Sequence, residues 1–150
     1  MTTIDRIDQR ILQELSRDAR QTNVKLAEQV GLSPSACLRR VQELERSGVI
    51  TGYKAVIDRS RLGIGCVVYL TVGLSKHTKA SLEAFERAIA EAPEVVECHT
   101  ITGAVEYLLR VEVTDIGAYK DFHTNVLGTL PHVSSITSHI VMDSSKSTRS

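Results

Sequence analysis

Apolar residues recur at helical spacing through the first third of the chain. In residues 4–16, isoleucines and leucines share one face and charged side chains share the other, which predicts an amphipathic helix capped by Thr3. A second helix is predicted to begin at Asn23, acting as its capping residue. It is predicted to end at Gly31, because glycine tolerates the left-handed conformation of a helix end.

The stretch from Ser33 to Gly48 predicts a third helix. Ser33 is a good cap, and Pro34 suits the first helical position, where a missing N–H costs nothing. The interior side is predicted to carry apolar residues three positions apart, namely Leu38, Val41 and Leu44. Because this stripe begins at Leu38 and not at Cys37, the preceding turn is predicted to be one residue longer than in the simplest repressor units, as in winged-helix-like units.

The other side of the third helix is small at its start and then basic, with no acidic residue before Glu43. Small residues let a helix approach the major groove closely, arginine matches phosphate or guanine, and helix N-termini bind phosphate. The pattern predicts a helix-turn-helix that binds double-stranded DNA; the alternative is a helical hairpin whose arginines are only solvated. The candidate DNA contacts are Arg20, Asn23, Ser33, Ser35, Ala36, Cys37, Arg39, Arg40 and Gln42.

The helical pattern stops after residue 48. Residues 49–57 mix β-branched and aromatic side chains around a glycine, which predicts an extended hinge or a short strand, and Gly63 and Gly65 mark a linker. We therefore expect a helix-turn-helix domain at 1–50, a hinge and linker at 51–65, a second domain at 66–142 and a loose polar tail at 143–150.

Beyond residue 65 the pattern becomes that of strands alternating with helices. Strands are predicted at 66–74, 95–102, 107–114 and 133–142, with helices at 79–92 and from a capping Asp115 to Pro131. This βαββαβ order is ferredoxin-like, with both helices on one face of an antiparallel sheet, so the chain is α+β. An uncovered apolar face predicts packing on a second copy, as a dimer. The residues predicted on that face are Val67, Tyr69, Cys98, Leu108, Ile136 and Ile140.

Composition adds a charge asymmetry to this picture. The net charge is zero, but residues 1–62 hold 11 basic and 8 acidic side chains, whereas residues 63–150 hold 7 and 10. A basic first half and an acidic second half suit a DNA-binding head on a partner-binding body. A polar N-terminus and the lack of a long apolar run predict a cytoplasmic protein without membrane segments, and three widely spaced cysteines do not suggest a disulfide framework.

The combination of motifs resembles the Lrp/AsnC (feast/famine) family of transcriptional regulators over essentially the whole chain. The most specific pieces are GLSP at 31–34, RVQELE at 40–45, GVI at 48–50 and ECH at 97–99. The resemblance implies a DNA-binding regulator that senses an amino acid or related small metabolite between dimers, near the turn that joins the second and third strands. It also implies homodimers that assemble into tetramers or octamers.

That turn departs from the family pattern, which is Gly-Asp-aromatic-Asp. Here the residues are Gly103, Ala104, Val105 and Glu106, so the first acid, which would suit an amino group, is lost, and Glu106 is the group left to compensate. The resemblance makes the turn and the last strand the source of candidate effector contacts. These are Thr102, Gly103, Ala104, Val105, Glu106, Ser134, Thr137 and Ser138.

The sequence contains no phosphate-binding glycine loop and no evident nucleophile–base pair, so we do not expect an enzyme. His99 and His139 lie on predicted strands, but zinc needs three or four convergent ligands, and we expect neither metal nor cofactor. Two alternatives remain open. One is a ferredoxin-like enzyme with a helical appendage, and the other is an oligomeric ligand-binding scaffold whose helical head contacts protein.

Overall fold

The computed structural model of this chain describes residues 3–147. Two compact units divide the chain at residue 55, Met1–Ala55 and Val56–Ser150, and each has its own buried core. The last three residues of the predicted polar tail, 148–150, lie outside the described residues. Within residues 3–147, no helix is both long enough and apolar enough to cross a bilayer.

The first unit contains α1 (Arg6–Arg17), α2 (Asn23–Val30) and α3 (Pro34–Arg46). The predicted caps of the first two helices were wrong. Asp5, not Thr3, caps α1, in a reciprocal arrangement with Asp8 that satisfies two backbone N–H groups near the start of the helix. Thr22 caps α2 through a 3.2 Å bond from the Lys25 N–H, so Asn23 is instead the first helical residue.

The core of the first unit places one predicted DNA contact inside. Cys37 is completely buried, together with Leu44, and Leu38 is 46% exposed. The interior side of α3 is therefore Cys37, Val41 and Leu44, at spacings of four and three, and the predicted stripe that began at Leu38 was wrong at its first residue. The longer turn inferred from that stripe loses its basis.

The second unit has the predicted βαββαβ order and the ferredoxin-like sheet. Its elements are β1 (Cys66–Leu74), α4 (Lys79–Ala90), β2 (Val95–Thr100), β3 (Tyr107–Val113), α5 (Ile116–Asn125) and β4 (Val133–Ile140). All strand pairs are antiparallel in the order β2-β3-β1-β4. Residues 49–57 carry no regular secondary structure, consistent with an extended hinge.

One face of this sheet packs against α4 and α5. The opposite face, which we call the uncovered face, carries neither of these helices, although Arg59 of a short 3₁₀ helix (Arg59–Leu62) pairs there with Glu112 of β3. The inward residues of β1 and β3 are fully buried with Phe85 of α4 and Phe122 of α5. Because directly paired residues share a face, the uncovered face includes Val67, Tyr69 and Leu108.

Three residues predicted on the uncovered face lie on the helix side instead. Cys98 pairs with Leu109, Ile136 with Val72 and Ile140 with Val68, and all three partners are completely buried. In β2 the cause is a register shift between Val95 and Glu97, because one extra residue reverses the alternation of side chains. In β4, polar residues occupy both faces, so the sequence pattern does not fix the phase.

Candidate DNA interface and effector turn

The start of α3 is fixed by hydrogen bonds. The Ser33 hydroxyl accepts a bond from the Ala36 N–H at 3.2 Å, with Pro34 in the first helical turn, as predicted. The side-chain amide of Asn23 donates to the Pro34 carbonyl at 2.7 Å, which ties the beginning of α2 to the beginning of α3. These bonds fix where α3 begins, and the packing of Cys37, Val41 and Leu44 against the core leaves the opposite side of the helix outward.

The outward side of α3 is polar and basic, with Ser35, Arg39 and Gln42 one helical turn apart. Arg39 makes no hydrogen bond or ion pair with any residue between 3 and 147, whereas Arg46 is held by both carboxylate oxygens of Glu43. Arg39 is therefore the guanidinium on this side that is free to meet an external anion or base edge.

Arg40 points elsewhere and is already engaged. Its guanidinium lies 2.6 Å from Asp5 Oδ2 and 2.8 Å from Asp8 Oδ1, at the start of α1. Two hydrogen bonds hold the pKa of Asp5 below its ordinary value, the larger effect coming from the Asp8 backbone N–H and the next from the Arg40 guanidinium. The same two ion pairs raise the pKa of Arg40. Arg40 thus links α3 to α1 through its Nη1 atom, and a contact with DNA that keeps these partners would have to use its Nη2 or Nε atom.

Cys37 is a correction to the predicted DNA contacts. Its side chain is wholly buried, and this burial raises the pKa of its thiol. It cannot touch a duplex while the unit is folded. The other predicted residues are accessible: Ser33 and Ser35 are exposed at the start of α3, Ala36 is half-buried beside them, and Arg20 is exposed in the segment that joins α1 to α2.

The turn between β2 and β3 brings an acid into contact with the end of β1. One oxygen of Glu106 accepts the Leu74 N–H at 2.6 Å, and the other lies 2.8 Å from His77 Nδ1. Because β3 begins only at Tyr107, its pairing with β1 stops at Val72. The Glu106 carboxylate accepts the Leu74 N–H beyond the end of that pairing. The predicted compensating acid is therefore present, but it is already bonded.

The remaining predicted effector contacts are only partly brought together. Gly73 is the meeting point: an added Cβ there would collide with the Ser135 hydroxyl and lie 3.3 Å from Val105 Cγ1. Ser134 donates to the Gly73 carbonyl at 3.1 Å, so Ser134 and Val105 approach the same position. Thr102, Gly103 and Ala104 are exposed in the turn.

The two predicted contacts from the middle of β4, Thr137 and Ser138, lie on opposite faces of the sheet. Thr137 pairs with Thr71 on the uncovered face. Ser138 pairs with Leu70, on the helix side, where its hydroxyl bonds to that of Tyr119. Ser138 therefore lies on the opposite face of the sheet from Thr137, and its role as an effector contact stays a prediction.

Sequence reasoning missed His77 and Gly73. Both come from the end of β1 and the segment after it, and neither belongs to a motif that the sequence displays. The Gly73 position had one usable signal, since glycine inside a strand pattern indicates a bulge or a close backbone approach.

Both units match models of known domains. A winged helix-turn-helix DNA-binding model matches residues 4–51, and the Lrp/AsnC ligand binding domain matches residues 67–150. The leucine-responsive regulatory protein of Escherichia coli (strain K12) is 38% identical over 143 residues, which cover 95% of this chain and 87% of that protein.

Solved structures of regulators superpose on the chain. A transcriptional regulator from Neisseria meningitidis, solved as a complex with L-Met, has a TM-score of 0.91 and 34% identity over 97% of this chain and 94% of its own. An AsnC family transcriptional regulator from Agrobacterium tumefaciens has a TM-score of 0.89 and 34% identity, over 95% and 93%. The matches do not favour the scaffold alternative. The exposed basic side of α3, the ferredoxin-like sheet and these matches agree: the chain belongs to the Lrp/AsnC family of DNA-binding transcriptional regulators.

Proposed function

We propose that this regulator binds specific DNA sites through the outward side of α3, and that an amino acid held at the turn of residues 102–106 alters this binding. The observation that carries the DNA part is the free guanidinium of Arg39 between Ser35 and Gln42. In the proposed arrangement, Ser35, Ala36, Arg39 and Gln42 approach base edges. The residues proposed to approach phosphates are Arg20, Asn23 and Ser33.

A charge-matched pair of variants tests the DNA part. Arg39→Ala removes the free guanidinium of α3, and Arg6→Ala removes an exposed arginine of α1 that has no partner among the described residues either. We expect Arg39→Ala to weaken binding to a duplex selected from a randomised pool by at least about ten-fold, measured by fluorescence anisotropy, because a lost bidentate base contact has roughly this effect. Arg6→Ala should stay near the wild type.

Salt dependence separates the two ways in which Arg39 can act. If it binds phosphate, the slope of log affinity against log salt should fall by about one, whereas a base contact should lower discrimination between sequences and leave the slope nearly unchanged. Equal affinity of the Arg39→Ala and Arg6→Ala variants for the selected duplex would contradict the proposed orientation of α3.

The ligand part rests on the turn and on what related proteins bind. The Neisseria meningitidis relative was solved with L-Met, a regulator from M. tuberculosis with 29% identity was solved with L-methionine, and the Escherichia coli relative is named for its response to leucine. We propose an amino acid or related metabolite as the effector. Its amino group would share the Glu106 carboxylate with His77, beside Val105 and Ser134.

Glu106→Gln tests this site without removing the local backbone bond. Glutamine still accepts the Leu74 N–H, but it lacks the charge that attracts an ammonium group. The matched control is Glu97→Gln, because Glu97 also lies beside a histidine, His99, at 3.2 Å. By isothermal titration with L-methionine and L-leucine, we expect about ten-fold weaker binding for Glu106→Gln alone. Identical isotherms for both variants would refute the role of Glu106.

We propose further that two chains pair through the uncovered face and that these dimers assemble into tetramers or octamers in the cytoplasm. Support comes from the partly buried Val67, Tyr69 and Leu108 on that face, beside an open cavity of about 610 Å³ that also reaches Ile57 and Ile64. Paired chains would present paired α3 helices to two half-sites. Sedimentation of the chain as a monomer at micromolar concentration would overturn this arrangement.

A further inference from the structure

Leu38 is an apolar side chain on the outward part of α3. It is 46% exposed, whereas the neighbouring Cys37 is buried in the core. Ser35 and Gln42 lie at the i−3 and i+4 positions and therefore border it on the helix surface. A single exposed leucine is ordinary on most surfaces. This one, however, is in the N-terminal half of the helix proposed to enter the groove, the part from which base edges are read.

An apolar side chain has one good match in the major groove. The base edges there present hydrogen-bond donors and acceptors, except for the C5-methyl group of thymine. Leucine placed against a donor or an acceptor would displace water and return no hydrogen bond, which is unfavourable. Leucine placed against the methyl group buries apolar surface on both partners.

We propose that Leu38 selects thymine by packing against its C5-methyl group, at a base pair between those approached by Ser35 and Gln42. This inference rests on the proposed placement of α3 in the major groove. It gives the helix a specificity element that its polar residues do not supply, because neither serine nor arginine requires a methyl group.

Uracil substitution in the DNA isolates the proposed contact, because deoxyuridine differs from thymidine only by that methyl group. The full chain is first used to select a duplex from a randomised pool, and each thymine of the selected site is then replaced singly by deoxyuridine. For the wild type, we expect at least one replacement to weaken binding by about four-fold, the effect of losing one buried methyl group. The same replacement should have no further effect on Leu38→Ala, since the contact is already lost.

Two further variants separate the contact from a general effect on folding. Leu38→Met keeps an apolar side chain of similar volume and should keep the sensitivity to uracil. Val24→Ala truncates an apolar residue of α2 that is 55% exposed, and it should show the same uracil sensitivity as the wild type. Circular dichroism of each variant should match the wild type, because Leu38 is outside the core.

Two results would overturn the inference, and they differ in what else they overturn. In the first, the wild type binds its selected duplex but no uracil replacement weakens this binding, or each replacement weakens binding by Leu38→Ala as much as binding by the wild type. The thymine contact is then wrong, and the DNA-binding proposal stands. If the wild type selects no duplex at any salt concentration, both the proposed placement of α3 and the thymine contact fail.

Discussion

Replacement of Cys37 by serine is expected to destabilise the helix-turn-helix unit while leaving its DNA contacts intact. Cys37 is completely buried and packs with Ile11, Val30 and Leu44 in the core of this unit. A buried cysteine behaves as a small apolar residue, whereas serine brings a hydroxyl of similar shape into the same space. The change therefore tests the interior position of this side chain and little else.

The magnitude follows from the burial of that hydroxyl. A hydroxyl transferred from water to an apolar site without a partner costs about 1–3 kcal/mol. Within a helix, serine can recover part of this cost by bonding to the carbonyl four residues earlier, here that of Ser33, which already accepts the Cys37 N–H at 2.9 Å. We therefore expect a loss of about 1–2 kcal/mol, which is about a five- to thirty-fold change in the folding equilibrium.

The assay combines unfolding with DNA binding on the full chain. Urea titrations followed by circular dichroism give the change in the free energy of unfolding of the helix-turn-helix unit. Cys37→Ala serves as the control that keeps the site apolar. Affinity for the selected duplex is then measured where every variant is folded, and we expect values within about two-fold of the wild type. In the wild type, the exposed Cys98 should react with a thiol reagent well before Cys37.

One pattern of results would refute this reasoning. If Cys37→Ser were as stable as the wild type and bound DNA more weakly, the side chain would have to lie on the DNA-facing side of α3. Rapid modification of Cys37 in the folded chain would point the same way. Its burial and its raised pKa both predict slow modification.

Three further substitutions have clear expected outcomes. Gly31→Ala should lower the free energy of unfolding of the first unit by about 1 kcal/mol, because φ is +75° there and a side chain disfavours that conformation. Since the pKa of Asp5 is held below its ordinary 3.8 by the Asp8 N–H and by Arg40, its stabilisation is full above about pH 4 and lost as the pH falls further. Asp5→Asn should therefore flatten the acid dependence of the melting temperature. Glu112→Gln should destabilise the second unit by roughly 3 kcal/mol in urea, because it leaves the largely buried Arg110 without its charged partner.

Much of the fold could be predicted because the strands of the second unit are strongly patterned. β1 was predicted at its observed residues, and β3 to within one residue, since every second side chain is apolar and buried. The C-terminal end of α2 and the start of α3 were equally clear, because Gly31 and Pro34 are strong helix-boundary signals. These signals are local, so tertiary contacts are not needed to interpret them.

The errors arose where adjacent residues offer two equally good patterns. In α3, Cys37 and Leu38 are both apolar, and only the packing of α3 against α1 and α2 decides which one is buried. In β2, Val95 and Val96 are both β-branched, which conceals the register shift beside them. A shift of one residue changes the face of every later side chain, so Cys98 was assigned to the wrong side.

The candidate site was harder to predict than the fold because its partners are distant in sequence. Glu106 is identifiable from the sequence as an acid in the turn, but its bonds to Leu74 and His77 depend on how the end of β1 lies beside the start of β3. No spacing rule relates residues 32 positions apart. The site therefore follows from the sheet register, which the sequence gives only to within one residue.

Arg39 and Arg40 show why loss of DNA binding alone cannot identify a contact in this unit. They are neighbours with the same side chain, but Arg39 is free among residues 3–147, whereas Arg40 joins α3 to Asp5 and Asp8. Removal of Arg40 would weaken DNA binding even if it never touched DNA, since Asp8 would lose its partner and α3 its anchor. A direct contact is established only when a change in the duplex weakens binding by the wild type and has no further effect on the affinity of the variant that lacks the side chain. Arg39 and Leu38 can meet this criterion, and a simultaneous replacement of Arg39 and Arg40 cannot, because it mixes recognition with the positioning of the helix.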